Sequence, residues 1–296
     1  FSISKKFISL FKFYKPLNKL NMVYFRKLKH SYFNDKGETY LSVTTFLKRF
    51  KEDYDEEYWL SYKALEAVRN NFQIDPETGK YAKMPGFYRS VVKYPDIRHA
   101  VKPSEQFLFD QTRLELKNSW EDNRVKATDF GTSYHKMNED RDNASGIVLN
   151  PTNNTGYFVD PLVDCPEYNC TRLILPNHCY LELLIHSDKH MIAGQSDKVF
   201  FINDIDFQIR DFKTNSELKN TSFNNKKMKF PFNTLEDHTV NHYAIQLGLY
   251  AYMLELQGYV CTGLFIDHYE KPIEVKYYKE MIEEAMKIRE IELSLS

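Results

Sequence analysis

The stretch from Gly194 to Lys213, GQSDKVFFINDIDFQIRDFK, holds the side chains best suited to chemistry. It carries two aspartates, Asp197 and Asp211, and a lysine, Lys213, two positions past the second. Side chains alternate faces along a β-strand, so Asp211 and Lys213 project together while Phe212 turns the other way. Asp197 opens the run KVFFI, which reads as the neighbouring strand, and a hairpin through Asn203, Asp204 and Ile205 brings the two acids close. Carboxylates bind hard cations through oxygen. A cation so held polarises a phosphate and helps make hydroxide from water. With an ammonium alongside, that is the equipment of metal-assisted phosphodiester hydrolysis. Asp211 lies inside a strand, where Asp is disfavoured, and a cation would compensate for the placement. Glu182 lies in the apolar run CYLELLIH, where a buried carboxylate calls for a cation or a donor.

These residues need a sheet. CYLELLIH (179–186) and HMIAGQSDKVFFI (190–202) flank the polar turn Ser187-Asp188-Lys189, a hairpin signal. FQIRDFK (207–213) is the third strand. A Lys/Asn-rich excursion (214–238) leads to a helix over about 239–256, stopped near Gly258, and 259–268 reads as a fourth strand. A closing amphipathic helix covers about 278–293. Ahead of this core, 39–50 begins strand-like and turns helical, with Ser42 or Thr44 as cap and the helix continuing into the acidic run 51–57. A helical segment follows to about Asn70. Pro and Gly mark 71–103 as loop. Helices are expected over 104–125 and 128–141, and an Asn/Asp/Pro/Gly-rich surface connection over 142–170. The expectation is a mixed α/β domain: a basic arm or leader (1–38), a helical front (39–127) and a catalytic core (128–296).

Bulk properties narrow the options. A hydrophobic fraction of 42% across 296 residues supports a real core. A formal net charge of −1 means that any phosphate binding comes from local clusters. No G-x-x-x-x-G-K-[ST] loop occurs, which argues against a built-in ATP motor, and no apolar run reaches the ~18 residues of a membrane span. Cys165, Cys170 and Cys179 have C-x4-C-x8-C spacing, which lacks the short-spaced pairs of a zinc knuckle, so the thiols read as reduced and structural. His238 and His242 sit at i, i+4 without an H-E-x-x-H context. Before Asp35 there is no acid, yet Lys5, Lys6, Lys12, Lys15, Lys19, Arg26, Lys27 and Lys29 all occur. Such a leader is similar to an organelle transit peptide, which would mean a mitochondrial location; as a flexible arm, or as sequence ahead of a start at Met22, it leaves cytoplasm or nucleus.

Five motifs together carry a family resemblance over about 39–293. GTSYHKMNE (131–139) holds His135 and Glu139 on one helix face. Glu182 stands on the first core strand, GQSD (194–197) carries Asp197, RDFKT (210–214) carries Asp211 and Lys213, and QLGLY (246–250) carries Gln246 and Tyr250. In order and spacing these resemble the PD-(D/E)XK nuclease superfamily, in the RecB-like branch that includes mitochondrial genome maintenance and phage exonucleases. The resemblance implies a restriction-endonuclease-like mixed sheet flanked by helices. It implies Mg²⁺ or Mn²⁺ on Asp197, Asp211, the Phe212 carbonyl and His135, with Glu182 assisting and Lys213 steadying the attacking water. Gln246 and Tyr250 would hold a nucleic-acid strand, and Lys226, Lys227 and Lys229 would track phosphates. The activity implied is a DNA exonuclease on single strands or ends, serving repair, recombination or genome maintenance, with a helicase, polymerase or recombination partner in trans. A structure-selective or RNA-directed endonuclease and a non-catalytic DNA-binding protein on the same fold remain the alternatives.

Overall fold

The computed structural model describes residues 22–51, 53–160, 168–269 and 271–295. The leader lysines up to Lys19 and Cys165 lie outside the described residues, as does the side chain of Cys170. In chain order the elements are β1 (Val23–Arg26), β2 (Ser31–Asn34), β3 (Thr39–Ser42), α1 (Val43–Lys48), α2 (Glu56–Arg69), α3 (Phe87–Val91) and α4 (Gln106–Ser145). There follow β4 (Ile147–Asn150), β5 (Thr155–Asp160), β6 (Tyr168–Cys170), β7 (His178–Ser187), β8 (Ile192–Phe201) and β9 (Asp206–Lys213). The chain ends with α5 (Thr239–Glu255), β10 (Val260–His268), β11 (Lys271–Glu274) and α6 (Lys279–Leu295). The protein is therefore mixed α/β.

The chain divides into two compact units, one running to Lys51 and resuming at Asn138, the other covering 52–137. The first unit holds every strand described. Its spine is β11-β10-β9-β8-β3-β2-β1-β6, with β7 on the remaining edge of β8 and the β4–β5 hairpin beyond β7. β8 pairs antiparallel with β7 and β9, whereas β10 runs parallel to β9. Parallel neighbours need a crossover, and α5 supplies it. That helix is apolar on nearly every side (Ala244, Ile245, Leu247, Leu249, Ala251, Met253 and Leu254 are buried), so it must be covered. The sheet residues Val199, Phe201, Phe207, Ile209, Leu264 and Ile266 cover one side, and α1 and α6 complete the same cluster through Phe46, Leu47, Ile282 and Met286. Ser42 caps α1 by accepting from the Thr45 amide at 3.1 Å.

The second unit packs α2, α3 and the first part of α4 around Tyr62, Leu65, Phe87, Val91, Ile97 and Phe109. Asp55 caps α2 through the Tyr58 amide at 2.8 Å, which explains why the helix expected to continue from α1 restarts here.

The structure departs from the sequence expectations in four places. The arm drawn as 1–38 contributes β1 and β2, whose inward residues Val23, Phe25 and Tyr32 join the core with Tyr40, Leu184 and Ala193. The helices expected over 104–125 and 128–141 are one 40-residue helix, because nothing between Val125 and Thr128 breaks the backbone pattern. The boundary drawn at 127/128 accordingly falls inside α4, and the units divide instead at 51/52 and 137/138. The expected connection over 142–170 contains the β4–β5 hairpin, its turn closed by Asn150 accepting from the Thr152 amide and Asn153 from the Thr155 amide, each at 3.0 Å. Cys179, by contrast, agrees with its expected role as a reduced structural thiol: it is fully buried in β7, where burial pushes the thiol up to about 12.

Gly194 is fixed by packing. A Cβ on Gly194 would lie 2.6 Å from Cε1 of the Tyr250 ring, an approach real side chains do not make. Gly194→Ala is expected to destabilise the first unit by about 1–3 kcal/mol through overpacking, read from the midpoint of chemical denaturation. An unchanged midpoint would show that the ring moves freely.

Candidate functional site

The site begins where the sheet forks. β7 follows one edge of β8 from Ser187↔Ile192 to His178↔Phe201. The other edge is divided: β3 pairs only with Ile192 and Ala193, and β9 only with Lys198–Phe201. Between them, among the described residues, Gly194–Asp197 has no strand alongside on that edge. The last β8–β9 pair is Lys198↔Arg210, so Asp197 and Asp211 occupy the next opposed positions, just past the end of the ladder. At such opposed positions Cβ atoms lie about 4.5–5.5 Å apart. The Phe212 amide, which in a continuing ladder would meet a main-chain carbonyl, donates to Asp197 Oδ2 at 2.6 Å. A charge-assisted bond of that length is among the stronger kinds.

A second irregularity brings in Glu182. Tyr180 faces the core under α5, and so do Leu183 and Ile185, whereas Leu181 and Leu184 face the opposite side. The alternation slips by one residue at Glu182, which takes φ +48°. A left-handed conformation at a non-glycine residue costs about 1–3 kcal/mol and persists only where the surroundings impose it. β8 shows the matching slip: Ile192 faces α5, as do Val199 and Phe201. Glu182 and Asp197 thus stand opposite each other at the place where both strands change phase, with ligand oxygens within 4.8 Å of each other.

Lys213 completes the cluster. Its ammonium ion-pairs with Asp211, a residue that is 3% exposed. Burial alone would lower the lysine, but Asp211 and Asp197 outweigh it and the ammonium is pushed up to about 12. On its other side the ammonium lies 4.7 Å from the ring centroid of Tyr243 on α5, a cation–π contact. Tyr243 donates to Asn215 Oδ1 at 2.5 Å. The chain leaving β9 is held by the last residue of β10 and the one after it: His268 Nε2 is 2.6 Å from the Asn215 carbonyl, and Tyr269 donates to the Thr214 carbonyl at 2.8 Å. Tyr243, His268 and Tyr269 did not emerge from the sequence. The available signal for Tyr243 was its spacing, seven residues before Tyr250 on the same helix.

The remaining expected site residues divide. Gln246, half-buried, donates to the Tyr250 hydroxyl at 3.4 Å, so these two meet. Tyr250 corrects an expectation: at 2% exposure, with its ring against Gly194, it cannot offer that ring to a base. Burial, reinforced by Tyr32, Asp211 and Asp197, raises its hydroxyl well above the ordinary tyrosine range, so it stays a neutral core group behind the acids. Lys226 and Lys227 are exposed, and Lys229 is half-buried with its amide donated to the Phe50 carbonyl at 2.8 Å. Met228 between them is buried and anchors the excursion. His135 lies on α4 in the second unit, three residues before the helix enters the first. His238 caps α5 through the Asn241 amide and His242 pairs with Asp237, so both histidines are occupied structurally.

Within the first unit the donors at the fork are the carboxylates of Glu182 and Asp197, with Asp211 adjacent and the Phe212 main chain between. An all-oxygen set of this kind fits a hard divalent cation such as Mg²⁺ or Mn²⁺. No protein-family model matches this chain, and no curated protein or solved structure shows significant similarity to it.

The Lys213 shift has a signed consequence. A lysine raised from 10.5 to about 12 adds stability that is fully present below pH 10.5 and is lost as pH climbs through about 12. Unfolding free energies of wild type and of the Asp211→Asn/Lys213→Gln double variant, measured from pH 8 to 12, are expected to differ by a constant amount up to about pH 10. The wild type should then lose ground. Parallel curves throughout would show that the ion pair does not raise the lysine.

Proposed function

We propose that the first unit is a divalent-cation-dependent deoxyribonuclease with a restriction-endonuclease-like core of the PD-(D/E)XK kind, cutting single-stranded DNA or DNA ends as an exonuclease. One observation carries the reading. Asp211 and Lys213 project from one face of β9 at the point where β8 departs, and Asp197 fills the gap through the Phe212 amide. A sheet has no structural need to bury a carboxylate and an ammonium side by side there, since apolar side chains of similar volume usually serve stability as well or better.

Asp197, Glu182, Asp211 and the Phe212 carbonyl would hold Mg²⁺ or Mn²⁺, which when bound supplies Lewis-acid polarisation of the phosphate and a water of lowered pKa. The chain's own groups do the rest. Asp211 and Tyr243 fix the Lys213 ammonium from two sides. A water that accepts from that ammonium through one lone pair keeps the other aimed at phosphorus. As the water attacks in line, the ammonium offsets charge growing on the phosphate oxygens. The bond from phosphorus to the 3′ oxygen breaks, the attacking water gives up a proton to solvent and the departing 3′ oxygen takes one from solvent, which leaves a 5′-phosphate and a 3′-hydroxyl. Lys213 remains protonated at neutral pH and acts as a charge rather than as a base. Arg would serve poorly, because a planar fork does not match a point charge. Lys226 and Lys227, exposed on the excursion that leaves β9, supply sites for phosphate contact outside the fork.

Labelled linear single-stranded DNA incubated with Mg²⁺ is expected to be degraded by the wild type. Asp211→Ala and Lys213→Ala should each slow degradation ~10²–10³-fold. Equal degradation by all three would remove the mechanism. Circular single-stranded DNA should survive, and its cleavage would move the assignment to an endonuclease.

In a Lys213→Ala background, which separates binding from cleavage, Lys226→Ser/Lys227→Ser should weaken single-strand binding. It should also flatten the slope of log affinity against log salt by about 1.4, roughly 0.7 for each phosphate no longer neutralised. An unchanged slope would exclude the two lysines from phosphate contact.

A further inference from the structure

The face of the sheet away from α5 buries charge where the mechanism above uses none. Lys198 on β8 and Arg210 on β9 are directly opposed and are 6% and 1% exposed. Like charges at opposed positions are unfavourable. Each therefore has its own acid. Lys198 ion-pairs with Asp142 in the last turns of α4, and Arg210 bonds Asp267 of β10 through Nε at 3.0 Å and through a terminal nitrogen at 2.5 Å. Each also lies over a ring: Lys198 Nζ is 4.7 Å from the centroid of Phe212, and the Arg210 guanidinium is 4.9 Å from that of Phe265. Buried ion pairs seldom outperform well-packed apolar replacements, so stability is a weak reason for the row.

Phe212 joins the two faces of the sheet. Its ring is covered by Lys198 on one side, and its amide is the donor that Asp197 accepts at the fork. Asp211 and Lys213, its neighbours in the chain, point to the other side. We propose that Lys198, anchored by Asp142, is a positioning residue. It clamps the Phe212 ring and so fixes the peptide whose amide aligns Asp197 and whose flanking residues carry Asp211 and Lys213. The planar peptide units on either side of Phe212 transmit the constraint, because a ring held in place leaves only its two backbone dihedrals to vary. The functional part of the inference rests on the metal-dependent reading of the fork. The structural part does not.

The test uses the full chain in three forms: Lys198→Gln/Asp142→Asn, a neutral pair that keeps volume and a hydrogen bond; Lys198→Arg, which keeps the cation; and Asp142→Asn, which removes only the anchor. The first readout is the Phe212 amide, observed by ¹⁵N-Phe labelling with ¹³C-carbonyl Asp to select Asp-Phe pairs. In the wild type a bond to a carboxylate should move this proton downfield and slow its exchange. The double variant should shift it upfield and speed exchange, Asp142→Asn should do the same to a lesser degree, and Lys198→Arg should restore the wild-type signal. The second readout is Mn²⁺ affinity by calorimetry, expected to fall ~10-fold or more in the double variant, as for other groups that orient ligands, and to be retained in Lys198→Arg. An unmoved Phe212 amide in both variants altered at Asp142 overturns the clamp. A moved amide with unchanged Mn²⁺ affinity overturns its role at the site. A wild type that binds no Mn²⁺ overturns the reading of the fork itself, and the amide still judges the clamp separately.

Discussion

A main-chain amide that has lost its strand partner must find another acceptor, and the fork in this sheet is built around that requirement. Where β8 leaves β9, the Phe212 N–H would be stranded, and the Asp197 carboxylate takes the place of the missing carbonyl. An unmade hydrogen bond to a buried amide costs roughly 1–3 kcal/mol. The substitution therefore does more than decorate the sheet. It commits an acidic side chain to a fixed position, one residue from Lys198 and directly across from Asp211.

Several unfavourable features of the fold meet in the same region. Glu182 adopts a left-handed backbone, Gly194 cannot carry a side chain because Tyr250 stands against it, and Asp211 is buried with only 3% exposure. Phase slips on β7 and β8 face each other, so two carboxylates are turned toward one point. Local strain and buried charge are sustained only where the surroundings over-determine them. Here α5 does so. Its Tyr250, Gln246 and Tyr243 line successive turns of one helix face, the first filling the space behind Gly194 and the last flanking Lys213.

The two faces of the sheet handle charge differently. Under α5, Asp197 and Asp211 gather around the ammonium of Lys213, with Glu182 opposite Asp197. On the far side the charges close on themselves as Lys198 with Asp142 and Arg210 with Asp267. Phe212 belongs to both, through its ring on one side and its amide at the fork.

Much of this was legible in the residues themselves. Asp211 and Lys213 on one strand face follow from alternation alone, and the turn at Asn203–Ile205 returns β8 onto β9 as its composition implied, with Asn203 accepting from the Ile205 and Asp206 amides. The cap at Ser42 and the extent of α5 were likewise local facts of propensity and periodicity. The strands β1 and β2 were not legible, because Arg26 and the lysines between the strands, Lys27 and Lys29, masked a period-two pattern whose apolar members matter only once Leu184 and Ala193 are beside them. Nor were the β4–β5 hairpin, whose Asn-rich turn read as loop, or the continuity of α4. Sequence by itself determined which side chains share a strand or a helix face, since those relations span a few residues and depend on fixed backbone periods. Only tertiary structure decided that β8 abandons β9 at Asp197, that Glu182 flips out of phase to meet it, and that Tyr250 is core rather than surface. Those outcomes depend on which distant segments compete for one strand edge and one volume, and no local pattern encodes that competition.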